Sequence, residues 1–170
     1  LLVLPEAKGL FRRAALQSLP GTYFTAALAH DIATSITAEL GREPRVDDLV
    51  DLPPDNLVEA TRTITAQLPQ RLDRWGPVAH TPTPFSPVMD VDPWAMLRAG
   101  AARGVQLLIG HTRDEFSQLA AKLEETDNAT PIINALTPTP GADRYRAAYP
   151  SLSPTALRDT ALSDWLMRMP

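Results

Sequence analysis

A stretch in the second half of the chain joins an apolar run to side chains that can do acid–base chemistry. The run 105–109 is apolar apart from one glutamine, ends at Gly110, and is followed directly by His-Thr-Arg-Asp-Glu at 111–115. This pattern predicts a short buried strand that reaches the edge of a sheet and passes into a loop. In α/β proteins, functional side chains are displayed at that edge. The candidate groups are the imidazole of His111 and the carboxylates of Asp114 and Glu115.

The same residues also have a purely structural interpretation. Thr112 and Glu115 fit the S/T-x-x-E capping box, in which the glutamate accepts a hydrogen bond from the backbone N–H of the cap residue. Spacing alone favours this capping role for Glu115 over a catalytic one. Asp114 is expected to form a salt bridge or to place negative charge at the start of a helix.

The other candidate nucleophiles, bases and metal ligands are weaker. His111 lies four residues before Glu115, but such a residue more often packs beside a strand end than acts as a base. His30 and His80 have no metal-binding spacing. No serine, Ser18 included, stands in a G-x-S-x-G context, so none is predicted to be a nucleophile. The sequence predicts no cofactor and no metal site.

Composition indicates one ordinary globular domain. The chain has 170 residues, of which 44% are hydrophobic and 21% charged. A net charge of −4, a pI near 5.3 and the lack of a Lys/Arg run argue against a nucleic-acid partner. The absence of Cys excludes disulfides and thiolate zinc sites, and no apolar stretch approaches the roughly 18 residues of a membrane span.

The elements that must position the candidate groups are mostly helical. Long helices are predicted at 22–40 and 53–68, where apolar residues repeat with helical spacing, and the Ser153-Pro154 pair predicts the start of another that runs through Met169. Shorter helices are predicted at 46–52, 94–102 and 115–123. Strands are predicted at 10–18, 85–90 and 105–110, and loops at 76–87 and 126–142.

Three segments, in order along the chain, carry a resemblance to a known family. Segment 5–18 contains a Gly-Leu-Phe turn and a strand that closes in Gln-Ser, and segment 85–90 reads Phe-Ser-Pro-Val-Met-Asp. Leu-Arg-Ala-Gly at 97–100 then leads into the run 105–115. Their order and spacing resemble those of the type-B carboxylesterases, which include bacterial para-nitrobenzyl esterases and cholinesterases. Phe116 and Val91 depart from the family pattern, since the family often has glycine at both positions.

The resemblance implies that Glu115 is the acid of a Ser-His-acid triad in a serine carboxylesterase. The family's nucleophilic serine would lie just before Leu1 and its histidine well beyond Pro170, so the chain is expected to be the central part of a longer enzyme. We therefore expect a fragment of an α/β-hydrolase fold, mostly helical with two or three short core strands. Its substrate would be a small-molecule ester bound by the intact enzyme. Alone, it is expected to be inactive and to self-associate through exposed strand edges.

The same resemblance implies a layout for residues 1–170. Residues 1–21 would be the strand after the nucleophile helix, 22–75 a helical insertion, 76–125 the strand and loop bearing the acid, and 126–170 a helical region. Two other functions are compatible with the sequence. One is a non-enzymatic, cholinesterase-like binding protein, which the retained acid disfavours. The other is an independent helical interaction domain, which the incomplete set of strands disfavours.

Overall fold

A computed structural model describes residues 1–81, 83–112, 125–137 and 141–167. The chain divides into two compact units, Thr22–Asp90 and the pair of segments Leu1–Gly21 and Val91–Pro170. Asp114, Glu115 and the helix predicted at 115–123 lie outside the described residues.

The unit Thr22–Asp90 is helical. Its helices are α1 (Ala26–Ala38), α2 (Val46–Leu49), α3 (Pro54–Gln67) and α4 (Leu72–Trp75), with 3-10 turns at Leu68–Arg71 and Gly76–His80. The hydroxyl of Thr25 accepts a hydrogen bond from the N–H of Leu28 and so caps α1. The core packs α1 against α3 and α4 through a set of buried apolar residues: Phe24, Ile32, Ile36, Ala60, Ile64, Leu68, Trp75 and Val78.

Two predictions for this unit differ from the structure. The segment predicted as an extended loop from residue 76 begins with the 3-10 turn Gly76–His80. The strand predicted at 85–90 is reduced to a single bridge between Val88 and Phe24. Pro87 lacks a backbone N–H, so it cannot donate to a ladder, and the pairing stays short.

The other unit contains the sheet, whose described part has two strands. β1 (Arg13–Gln17) and β2 (Gln106–Gly110) pair in parallel, with Arg13 opposite Gln106 and Gln17 opposite Gly110. Both predicted strands are confirmed, although β1 is shorter than expected at both ends and β2 is shorter by one residue at its amino end. The whole of the unit Thr22–Asp90 lies between them in sequence.

The prediction that β2 is buried is wrong for this chain. Every residue of β2 is exposed, and Leu108 and Ile109 have 71% and 64% of their surface accessible. Parallel strands are normally covered on both faces by helices. In the described part of the chain no helix packs extensively on β2, so its apolar side chains meet solvent.

Four further helices lie in the described part of the unit that holds the sheet. They are α5 (Pro93–Arg98), α6 (Thr130–Leu136), α7 (Gly141–Ala148) and α8 (Pro154–Met167). The prediction that 126–142 is a loop is wrong, because α6 forms within it. Pro131 occupies the first turn of α6, where its missing N–H costs nothing, and Ile133 and Leu136 are buried in contact clusters with residues of α8.

Candidate functional site

The carboxyl ends of the two strands meet at one edge of the sheet. Because the strands are parallel and Gln17 lies opposite Gly110, residues 18 and 111 leave the sheet side by side. The N–H of Ser18 donates to the carbonyl oxygen of Gly110 at 2.8 Å and extends the ladder by one bond. This edge is therefore the place where segment 111–115 leaves the strand.

Ser18 has an unusual backbone conformation at this edge. Its φ is +49°, and it is the one non-glycine residue with positive φ in the described part of the chain. The left-handed region costs an L-residue roughly 1–2 kcal/mol, and such strain tends to occur where the surrounding structure positions functional groups. The sequence predicted Ser18 as the last residue of a strand and not as a nucleophile, and no sequence signal marks its φ.

His111 is the first side chain beyond β2. Its Nδ1 lies 2.8 Å from the carbonyl oxygen of Thr112. A carbonyl only accepts hydrogen bonds, so this contact places a proton on Nδ1. The ring is exposed and tied to the backbone of the next residue. This contact ties the His111 ring to the backbone of the second residue beyond β2.

The chain that leaves β1 is held by two helices. The indole Nε1 of Trp94, on α5, donates to the carbonyl oxygen of Gly21 at 2.9 Å. The N–H of Gly21 donates to the carbonyl oxygen of Leu166, on α8, at 2.7 Å. Both backbone groups of Gly21 are thus bonded, and the chain is fixed three residues after Ser18.

The remaining histidines lie in the unit Thr22–Asp90. His30 is exposed on α1, and His80 is buried at the end of the 3-10 turn Gly76–His80. Neither belongs to a group of three His, Asp or Glu side chains that could hold a metal, and no such group occurs among the described residues. In the same part of the chain, no helix is long and apolar enough to cross a membrane.

A perturbed carboxylate, which sequence reasoning missed, lies in the unit Thr22–Asp90. Asp31, on α1, accepts hydrogen bonds from Nε and Nη2 of Arg74 at 2.8 and 2.6 Å, and from the indole Nε1 of Trp75 at 2.7 Å. The Arg74 hydrogen bond, followed by that from Trp75, lowers the pKa of Asp31. The same contact raises the pKa of Arg74. Because both partners lie on α4, this cluster ties α1 to α4 and is structural.

Comparison with known proteins identifies the fold of the chain and finds similarity to two esterases. The chain is similar to the juvenile hormone esterase of Heliothis virescens, with 29% identity over 138 residues, which is 75% of this chain and 24% of that protein. Its structure superposes on that of a PNB esterase with a TM-score of 0.67 and 23% identity, covering 99% of this chain and 36% of the other. No family model matches the chain.

The chain therefore spans about a quarter of the curated relative and about a third of the solved structure. The structural match confirms the predicted fold class, part of an α/β-hydrolase fold that is mostly helical with a small sheet. Together the two matches confirm the predicted relationship with carboxylesterases. The role of Glu115 and the proposed layout of the chain stay predictions.

Proposed function

We propose that this chain is the central part of a serine carboxylesterase that hydrolyses small-molecule carboxylic esters through an acyl-enzyme, and that Glu115 is its triad acid. In such a triad, serine attacks the ester carbonyl while histidine accepts the serine proton. The carboxylate holds the histidine in the correct tautomer and stabilises the imidazolium as it forms. In α/β-hydrolases the acid falls between serine and histidine in chain order, as this layout requires.

The observation that carries the proposal is the parallel register of β1 and β2 in a chain with an esterase fold. It brings the carboxyl end of β2 to the edge where α/β proteins display functional groups. Residue 115 follows Gly110 by five positions. Three described features support a fixed geometry at this edge: the bond from Ser18 to Gly110, the bond from His111 to Thr112, and the two bonds of Gly21.

The proposed role of Glu115 is tested by Glu115→Gln in the parent protein that contains this chain. With a para-nitrophenyl ester as substrate, kcat is expected to fall by about 10⁴, because the neutral amide no longer favours the productive tautomer. Asp114→Asn is the matched control, since it removes the neighbouring carboxylate and should leave turnover close to wild type. Wild-type kcat in Glu115→Gln, or an equal loss in Asp114→Asn, would reject the assignment.

The 170-residue chain alone is proposed to be inactive, because its sequence contains no G-x-S-x-G nucleophile. No para-nitrophenyl ester hydrolysis is expected from the purified chain, and no covalent labelling by a fluorophosphonate. A serine that is labelled stoichiometrically and whose labelling stops turnover would contradict this part of the proposal.

The layout given by the resemblance, with a helical insertion at 22–75 and the acid segment at 76–125, belongs to the same proposal.

A further inference from the structure

The unit Thr22–Asp90 contains an apolar cavity. Its volume is about 390 Å³, at the lower end of the roughly 300–1,000 Å³ typical of small-molecule sites. Ile32 and Pro84 in its lining are almost completely buried, whereas Phe85 and Val88 are 60% and 53% exposed. The cavity therefore has a core-like interior and an opening to solvent.

One wall of the cavity is held by hydrogen bonds to the segment before α1. The N–H of Phe24 donates to the carbonyl oxygen of Pro87 at 2.9 Å. The N–H of Met89 donates to the carbonyl oxygen of Phe24, also at 2.9 Å. The hydroxyl of Ser86 donates to the carbonyl oxygen of Thr22 at 2.8 Å. These bonds hold segment 86–89 in place beside the cavity, so the space does not depend on a ligand to form.

The lining has no charged side chain. Three of its residues have hydroxyl groups, and two of these, Ser86 and Thr37, donate to backbone carbonyls of Thr22 and Thr34. A charged ligand would lose its hydration without gaining a charged partner, which is costly. An uncharged apolar group would instead replace water against Ile32, Ile36 and Phe24 at a gain.

We propose that this cavity is a binding site for an uncharged, apolar small molecule, such as a medium-length aliphatic chain or a group of one or two aromatic rings. The cavity lies wholly within Thr22–Asp90, and its lining includes none of the residues at the sheet edge. Its ligand is recognised by shape and by the absence of charge.

The test uses the 170-residue chain and the uncharged fluorescent probe N-phenyl-1-naphthylamine. Wild type is expected to bind one probe saturably. Ala33→Glu places a carboxylate in the lining and should raise Kd by about tenfold or more. Ala27→Glu is the matched control, because Ala27 is exposed on the same helix and outside the lining, and its Kd should stay at the wild-type value.

A second variant keeps the test decisive if Ala33→Glu does not fold, as checked by circular dichroism. Ala33→Leu fills part of the cavity without adding charge and should also weaken binding. Equal affinities of Ala33→Leu and wild type would overturn the proposal, as would equal affinities of the two glutamate variants. So would probe binding that disappears when self-association is removed by dilution, because the occupant would then be a second copy of the chain. If a negatively charged, sulfonated analogue of N-phenyl-1-naphthylamine binds with the same affinity as the uncharged probe, the preference for an uncharged ligand is overturned.

Discussion

At the scale of single residues, Ser18 and Asp31 show how backbone strain and charge are placed in this chain. Ser18 adopts positive φ where β1 ends, and Asp31 is held by three hydrogen bonds between α1 and α4. Asp31 belongs to no recognisable motif, and the motif at 5–18 that ends in Ser18 does not indicate its backbone conformation. Each is bonded to a group that is distant in sequence: Ser18 to Gly110, and Asp31 to Arg74, which lowers its pKa.

Ser18→Val is expected to lower the free energy of unfolding by about 1–2 kcal/mol, because a β-branched residue is disfavoured at positive φ. Ser18→Gly should not show this loss, since glycine adopts the conformation freely. Urea unfolding of the purified chain measures both. Ser151→Val, at an exposed position in a turn, is the control. If Ser18→Val is as stable as Ser151→Val, the positive φ does not persist in solution.

Asp31→Asn is expected to remove a pH-dependent part of the stability. The pKa of Asp31 is lowered in the folded chain, so its contribution is present above the unfolded pKa of about 3.9 and is lost as pH falls through the folded pKa. The difference between wild type and Asp31→Asn should be up to about 1 kcal/mol near pH 6, because the ion pair is partly exposed.

That difference should shrink steadily below about pH 4, where Asp31 begins to be protonated in the unfolded chain. Urea unfolding at pH 6, 4 and 3 follows it. Asp73→Asn is the control, because Asp73 is an exposed carboxylate on α4 outside the cluster. A difference that grows as the pH falls would show that the sign is wrong.

At the scale of elements, α8 shows that a local sequence signal can be sufficient to predict where a helix begins. The pair Ser153-Pro154 predicts a helix start, and the structure begins α8 at Pro154. The hydroxyl of Ser153 accepts a hydrogen bond from the N–H of Ala156 at 3.2 Å. For α6 the local signal misleads, because its Thr- and Pro-containing sequence resembles a loop while Ile133 and Leu136 pack in clusters with residues of α8. Tertiary packing therefore stabilises a segment of weak helix propensity.

Ser153→Ala is expected to destabilise the chain by about 1 kcal/mol, because the first turn of α8 loses a hydrogen-bond acceptor. Thermal unfolding followed by circular dichroism measures the change. Ser151→Ala is the matched control two residues earlier, and it should leave the midpoint unchanged. Equal midpoints for the two variants would show that the cap does not contribute.

At the scale of the whole molecule, the exposed face of β2 is the main departure from a self-contained fold. Leu108 and Ile109 lie in solvent on a strand with a single paired neighbour in the described chain. Exposed apolar strands promote pairing with other chains. In keeping with the proposal that the chain is part of a longer enzyme, we expect the isolated chain to self-associate through this surface.

Leu108→Lys should reduce this association, because a lysine on an exposed strand opposes edge-to-edge pairing. Sedimentation velocity over a concentration series measures the change. Val50→Lys, which adds the same charge at an exposed position of the unit Thr22–Asp90, is the control and should leave the association unchanged. A wild-type chain that stays monomeric across the series would contradict the expectation.

The amino-acid sequence was sufficient to locate the helices and strands that depend on residues near one another along the chain. Repeats of apolar residues located α1 and α3, the cap at Ser153 located α8, and apolar runs located β1 and β2. The motifs at 5–18 and 105–115 carried the relationship with carboxylesterases, which the comparisons confirm. Each of these signals lies within one segment, where spacing reports directly on the face that a residue occupies.

Only the tertiary structure decided which distant segments meet. The parallel register of β1 and β2, the positive φ of Ser18, the exposure of Leu108 and the cluster around Asp31 all depend on contacts between residues far apart in sequence. Such contacts depend on how whole elements pack and on which surfaces remain uncovered, and no local pattern encodes them.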